Sequence, residues 1–332
     1  MDNITTKHPY LSFDDQLSLL EERNLIIKDT DLALEAIQSF SYYTIINGYK
    51  DLFLQSPYDN KFIDGTTFEM LYQLHWIDLS LCNTLFKYTL AVEKKLKTQV
   101  SNLVAHFFTI NEQRYLLDKN YSPAKEQKGK LRAVQRAIDE IRDKDISVKH
   151  YMNEENNIPP WIAAKAISFG NIRNWYSALR DQHKQLIIDA FIEKNANLTP
   201  DTRRDFFKIA LNQVYAFRNI SAHGNRSFKL KLDKKDRYVW THLKSLGIQD
   251  VFQENDSPAN RDNLFSIILS MFILINDKYV LYNLKLEIEQ FIQEYSRPEF
   301  IFLDRDIFQL FDIPKDTVSR LESYLSYKFP NN

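Results

Sequence analysis

Arg218-Asn219-Ile220-Ser221-Ala222-His223 brings a guanidinium, a carboxamide and an imidazole into six consecutive residues, and Gly224-Asn225-Arg226 adds a turn and a second guanidinium. An imidazole ordinarily titrates near pH 6.5 and exchanges protons at neutral pH. A guanidinium stays charged and offers anionic oxygens a planar fork of donors. Together these groups suit chemistry at a phosphate. The segment carrying them has a clear helix start, with Thr199 as N-cap, Pro200 at the first helical position and Asp201 in the first turn. It is expected to run to about His223 and to end at Gly224. At about 100° per residue, Phe206, Ala210, Val214, Phe217 and Ser221 share a core-facing sector flanked by Phe207 and Leu211. Lys208, Asn212, Tyr215, Asn219 and His223 form a polar stripe away from that sector, with Arg218 at the border. A merely solvated face usually carries Glu and Lys, whereas Asn, Tyr and His hydrogen-bond in partly buried places.

Charge is lopsided around this helix. Residues 201–237 hold ten Lys and Arg against four Asp, an excess of six in a chain whose net charge is -1. Such an excess favours an anionic partner, and phosphates are the obvious class. It means less if acid elsewhere balances the strip and His223 only caps the helix dipole.

Other chemistries are poorly served. The chain has six glycines in 332 residues, never closer together than 17 positions, which excludes glycine-rich phosphate loops, dinucleotide fingerprints and nucleophile elbows. The single cysteine, Cys82, excludes an intrachain disulfide framework and a cysteine-cluster zinc site. The seven histidines are scattered, with no H-x-x-x-H pair. Glu93-Lys94-Lys95 satisfies half of a metal-dependent nuclease motif, but that motif belongs on a strand and this stretch is patterned as helix. Asp14-Asp15 and Asp304/Asp306 read as carboxylates at helix starts. No metal and no cofactor is expected. Residues Met1–Pro9 lack an apolar signal core, and the longest apolar run, Leu264 to Ile275, is too short to span a bilayer. The chain is expected to be cytoplasmic, with no membrane partner.

Glycine poverty and apolar spacing of three and four predict an all-α fold. Helices are expected over Asp14 to Glu22, from Asp31 as N-cap toward Gly48, and from Thr67 to His106, the longest stretch. Others are expected over the charged segment Lys125 to Lys149, from Pro160 to a stop near Gly170, and over Ile172 to Leu179 with Asn171 as cap. Asp262 to Ile275, Leu284 to Tyr295 and Pro314 to Tyr327 complete the set. Phe228 to Leu232, before a Lys234-Lys235-Asp236 turn, has the alternation of a small β-hairpin. The organisation read from this is an N-terminal helical segment over 1–60, a helical core over 61–226 and a C-terminal helical elaboration over 227–332, packed as one unit.

The R-N-x-x-x-H of residues 218–223 resembles the motif of HEPN ribonuclease domains. Ala222-His223-Gly224-Asn225-Arg226 is similar to the segment following it in the Abi-like abortive-infection family of bacterial phage-defence proteins, of the AbiD/AbiF type. Ser168-Phe169-Gly170 with Trp175-Tyr176 and Leu179, Asp14-Asp15-Gln16-Leu17 through Leu25-Ile26-Ile27, Tyr42-Tyr43 with Asn47-Gly48-Tyr49, and Asn263-Leu264-Phe265 resemble further signatures, in order. The family's E-x-x-x-R stands here as Glu93 to Lys97, which keeps a charge and loses the guanidinium fork. Ser221-Ala222 replaces its more frequent Cys-Ala.

The resemblance implies a HEPN-like helical bundle, RNA as ligand or substrate, a homodimer formed through the motif helix, and metal-independent endoribonuclease activity. Arg218 and His223 would be catalytic, Asn219, Asn225 and Arg226 supporting, and Lys208, Lys229, Lys231 and Lys97 RNA contacts. The same scaffold suits a non-catalytic protein that holds a small regulatory RNA, and the sequence leaves both open. A helical protein–protein adaptor gains ground if the basic 201–237 strip is balanced by nearby acid.

Overall fold

The computed structural model describes residues 10–56, 58–192, 198–222, 224, 226–227, 230–239, 243, 251 and 263–330. The described chain is all helical, and its only β pairings are three isolated bridges. Its contacts divide it into two units. One contains residues 1–83, 220–228 and 290–311; the other contains 84–219, 229–289 and 312–332.

In the first unit, α1 (Phe13–Glu22) starts at a capping box, with the Ser12 hydroxyl accepting from the Asp15 N–H and the Asp15 carboxylate accepting from the Ser12 N–H, both at 3.2 Å. It packs Leu17 and Leu20 toward α2 (Thr30–Phe40), which buries Ala33, Ala36 and Ile37. Asp29, not Asp31, caps α2 through the Leu32 N–H at 2.9 Å. This helix ends at Phe40 and does not reach Gly48, because Ser41 turns to φ +70° and a five-residue π-helical turn, Tyr43–Asn47, takes over. The opening of α3 (Phe68–Phe107) belongs here too. With no Pro or Gly inside it, α3 runs unbroken for 40 residues.

The second unit holds the rest of α3 and eight more helices that matter to the site. The charged segment 125–149 is two helices, α4 (Lys125–Ile141) and α5 (Ile146–Glu155), because Asp145 accepts from the Ser147 and Val148 N–H groups and caps a new start. Then come α6 (Pro160–Ala166), α7 (Phe169–Ala178) and α8 (Asp181–Phe191). Gly170 does not stop a helix. It sits in the first turn of α7, and Ser168, not Asn171, is the cap, accepting from the Asn171 N–H at 3.2 Å.

Helix α9 (Pro200–Ala222) starts as expected, with the Thr199 hydroxyl accepting from the Thr202 N–H at 3.2 Å. Its burial is wider than one face. Beside Phe206, Ala210, Val214 and Phe217 it buries Ile209 and Gln213. Gln213 faces α10 (Leu264–Leu274), and its carbonyl accepts from the Ser266 and Ser270 hydroxyls at 2.8 Å each. All eleven residues of α10 are buried. Asn263 caps its start through the Ser266 N–H. Two lysines satisfy its last carbonyls: Lys95 donates to Leu274, and Lys328 donates to Phe272, Ile273 and Ile275. Lys328 comes from α11 (Thr317–Lys328), which packs on α10.

No β-hairpin forms among the described residues. Lys234–Asp236 is one 3-10 turn tied to α9, where the Asn212 amide donates to the Asp236 carboxylate and the Gln213 amide to its carbonyl. The Gln213 side chain thus satisfies one backbone carbonyl of the turn. Phe228 and Lys229, the start of the expected strand, lie outside the described residues.

Candidate functional site

Arg218 sits on the last turns of α9, and its counter-ion comes from α3. Glu93, only 7% exposed, places one carboxylate oxygen 3.5 Å from Arg218 Nε and the other 3.0 Å from Lys97 Nζ. Two cations share one buried carboxylate, so the cluster keeps a positive charge in excess. Arg218 also reaches Asn219 Oδ1 from Nη1 at 3.4 Å, and Lys97 donates to the Lys165 carbonyl at 3.2 Å. A guanidinium that faces a carboxylate across Nε leaves its Nη nitrogens as donors for an oxyanion. Beside Glu93 and Lys97 lies a pocket of about 450 Å³ that Lys94, Lys165 and the half-exposed ring of Trp161 also line. An open indole among lysines is a platform on which a nucleobase can stack while its phosphates are neutralised. Glu93 and Trp161 are not among the site residues expected from sequence. The signal for Glu93 was a carboxylate on an apolar face of α3, one turn before Lys97.

The Ser168-Phe169-Gly170 signature has a separate task. A β-carbon on Gly170 would stand 3.0 Å from the Tyr215 hydroxyl, tighter than side chains ordinarily pack. The missing side chain admits Tyr215, and Phe169 meets its ring edge-on at 5.5 Å. Above that ring, 3.9 Å away, lies the Arg173 guanidinium, which donates to the Asn212 side-chain oxygen. Asn212 and Tyr215, two members of the polar stripe, are therefore committed within the chain, whereas Lys208 is exposed.

Arg226 and the residue after it are anchored in the first unit. Arg226 donates to the Gly48 carbonyl and pairs with Asp51 at 3.3 Å. The next residue, Ser227, gives its N–H to both oxygens of buried Asp78 at 3.1 Å, and its hydroxyl donates there as well. Asp78 also accepts from Tyr49 at 2.9 Å. Tyr49 and Ser227, the residue after Arg226, thus meet at one carboxylate. Burial, and then the charge of Asp78, hold the Tyr49 phenol well above its ordinary range. The same two causes push the neighbouring Cys82 thiol up to about 12. Cys82 is therefore expected to resist alkylation at pH 8 in the folded protein and to react once it is unfolded, as intact-mass measurement would reveal. Labelling of Cys82 in the folded protein at the unfolded rate would contradict its placement.

Of the remaining expected contacts, Lys231 is paired with Asp312 at 2.5 Å. His223, Asn225 and Lys229 lie outside the described residues. Much of the basic strip is balanced. Arg203 pairs with Asp189, Arg204 with Asp201 and Lys235 with Asp233, besides Arg218, Arg226 and Lys231 above. Among the described residues Lys208 has no ion pair.

A family model described as Abi-like protein matches residues 35–229, more than half of the chain. The chain belongs to the Abi-like protein family. Membership points to abortive infection, a defence against phage. No curated protein and no solved structure matches. The span of the Abi-like match takes in the Asn47-Gly48-Tyr49, Glu93 to Lys97, Ser168-Phe169-Gly170 and Arg218 to Arg226 segments, whose contacts have just been described. The Asp14-Asp15 and Asn263-Leu264-Phe265 segments fall outside it. In this Abi-like protein no helix among the described residues is long and apolar enough to cross a membrane, and no three His, Cys, Asp or Glu side chains there are placed to hold a metal ion.

Proposed function

We propose that the protein is an abortive-infection effector of the AbiD/AbiF type that cleaves RNA in the cytoplasm, on a HEPN-like bundle and without a metal. The observation that carries this reading is the Arg218 guanidinium, ion-paired with buried Glu93 near the end of the helix that leads to His223. RNA brings its own nucleophile. The 2′-oxygen attacks the adjacent phosphorus, the bond to the 5′-oxygen breaks, and the products carry a 2′,3′-cyclic phosphate and a 5′-hydroxyl. His223 takes the proton from the 2′-hydroxyl or returns one to the leaving oxygen. Arg218, with Asn219 beside it, neutralises charge that builds on the phosphoryl oxygens. Asn225 and Arg226 support the turn after the histidine. One Arg and one His make a sparse site, and a homodimer pairs two copies across a two-fold axis. Because Asn212 and Tyr215 are occupied within the chain, such a contact centres on Arg218 and Asn219. Lys97, Lys94 and Lys165 around Trp161 supply a track for the strand.

The test is incubation of the purified protein with labelled RNA in EDTA, beside the same sequence with 2′-deoxy sugars. Cleavage is expected of the RNA alone, with cyclic-phosphate ends, from a species that sediments as a dimer. Abolition by EDTA, or equal cutting of the 2′-deoxy strand, would sink the mechanism. A protein that binds RNA and never cuts it is instead the holder of a small regulatory RNA.

A further inference from the structure

Helices α4, α7, α8 and α9 enclose a cleft of about 380 Å³ that has no part in the reading above. Five cations line it: Lys130, Arg173, Lys184, Arg204 and Lys208, against the single carboxylate of Glu126. All but Lys208 are half-buried. Lys130 pairs with Glu126 at 2.7 Å, Lys184 with Asp181 at 3.3 Å and Arg204 with Asp201 at 2.5 Å. Asp236, bound to Asn212, also acts on Arg173, so five cations face four carboxylates, a surplus of one. Lys208 is the cation left most open; Arg173 has no carboxylate within ion-pair distance among the described residues and lies over the Tyr215 ring instead, bonded to Asn212. Burial lowers the Arg173 pKa from its ordinary value, and Tyr215 and Asp236 offset that only in part. Concentrating like charge in a concave site costs free energy unless an anion fills it. Tyr176 and Leu211 give the cleft an apolar wall, which bare phosphate would not need.

We propose that this cleft binds a nucleotide through a terminal phosphate. A phosphate monoester carries about -1.5 to -2 charge at neutral pH, enough to neutralise that surplus, and its three oxygens suit a fork plus lysines. A cleft of this size also has room for a base or ribose against the apolar wall. The ligand is either a free mononucleotide or the phosphorylated end of an RNA, which share this chemistry. Lys208 lies ten residues before Arg218 on α9, about 15 Å along the helix. The cleft is therefore not the Arg218 site, and the inference stands whether or not Arg218 cuts RNA.

Binding to the full chain is measured by calorimetry with AMP, with a 5′-phosphorylated RNA oligonucleotide and with its 5′-hydroxyl twin. At least one phosphorylated ligand should bind, and the 5′-hydroxyl twin should bind more weakly than its phosphorylated form. The Arg204→Ala/Lys208→Ala double variant removes one half-buried and one exposed cation of the cleft and should lower that affinity about tenfold or more. Arg173→Lys, which keeps the charge but loses the stacked fork, should lower it too. Arg218→Ala should leave cleft binding intact while it removes cleavage, which separates this site from the other. AMP binding alone identifies a free-nucleotide site; binding of the phosphorylated RNA alone identifies an RNA-end site. Absence of binding by both phosphorylated ligands, or affinities unchanged in the double variant with its circular dichroism intact, overturns the proposal.

Discussion

Replacing His223 with alanine is expected to lower the rate of RNA cleavage by roughly 10²- to 10⁴-fold, the usual loss on removal of a general acid or base. The fall should appear in kcat at saturating RNA, because binding draws on lysines that the substitution leaves in place. The wild-type rate should bend near neutral pH where an imidazole titrates, and the bend should vanish in the variant. Arg218→Lys should be nearly as poor. Lysine keeps the charge, but its single ammonium cannot face Glu93 and hold a phosphoryl oxygen in a fixed plane at once. Single-turnover kinetics on a labelled oligonucleotide separate chemistry from binding. A His223→Ala protein that cuts at the wild-type rate would remove the histidine from the mechanism.

The second large effect concerns stability. Asp78→Ala is expected to cost about 3–5 kcal/mol, measured by urea unfolding. Asp78 is 1% exposed and accepts from the Tyr49 hydroxyl, the Ser227 N–H and the Ser227 hydroxyl. Removing the carboxylate strands the Ser227 N–H, leaves the Tyr49 hydroxyl only His75 Nδ1 at 3.3 Å and takes the acceptor from the Ser227 hydroxyl, where each unsatisfied buried donor costs about 1–3 kcal/mol. Asp78→Asn keeps the shape and one acceptor, so it should cost roughly half as much. The Cys82 thiol provides a second readout, since losing the neighbouring charge removes one cause of its raised pKa. An Asp78→Ala protein that unfolds within about 1 kcal/mol of wild type would show that the carboxylate does not secure Ser227.

What the sequence disclosed follows the range of the physics involved. The start of α9 at Thr199-Pro200 and the extent of α3 depend on neighbours a few positions apart, and both were legible, although the sequence left room for one break in α3. Gly170 was misread because glycine commonly ends helices. Its actual reason is the Tyr215 hydroxyl, 45 positions on in the numbering, which no local pattern reports. Arg226 and Lys231 counted as surplus charge until the fold brought Asp51 and Asp312 to them. Glu93 was visible as a motif fragment, but its partner Arg218 lies on another helix. Signatures point to positions worth explaining, and only the folded contacts tell whether a residue meets a ligand or its own chain.

The wholly buried helix α10 bears on how the protein survives in a cell. Leu264–Leu274 is an uninterrupted greasy plug, relieved only by two serines whose hydroxyls face Gln213. The last helix of the chain is its cork, with Tyr324 against Phe272 and Lys328 closing the final carbonyls. During synthesis the plug leaves the ribosome before the cork exists, so it depends on chaperones or on the rest of its unit for cover. A frameshift or nick just upstream of residue 317 would leave Arg218 and His223 untouched in sequence and yet produce sticky, aggregating protein. Loss of function from such an allele would reflect solubility, not the chemistry proposed for Arg218 and His223.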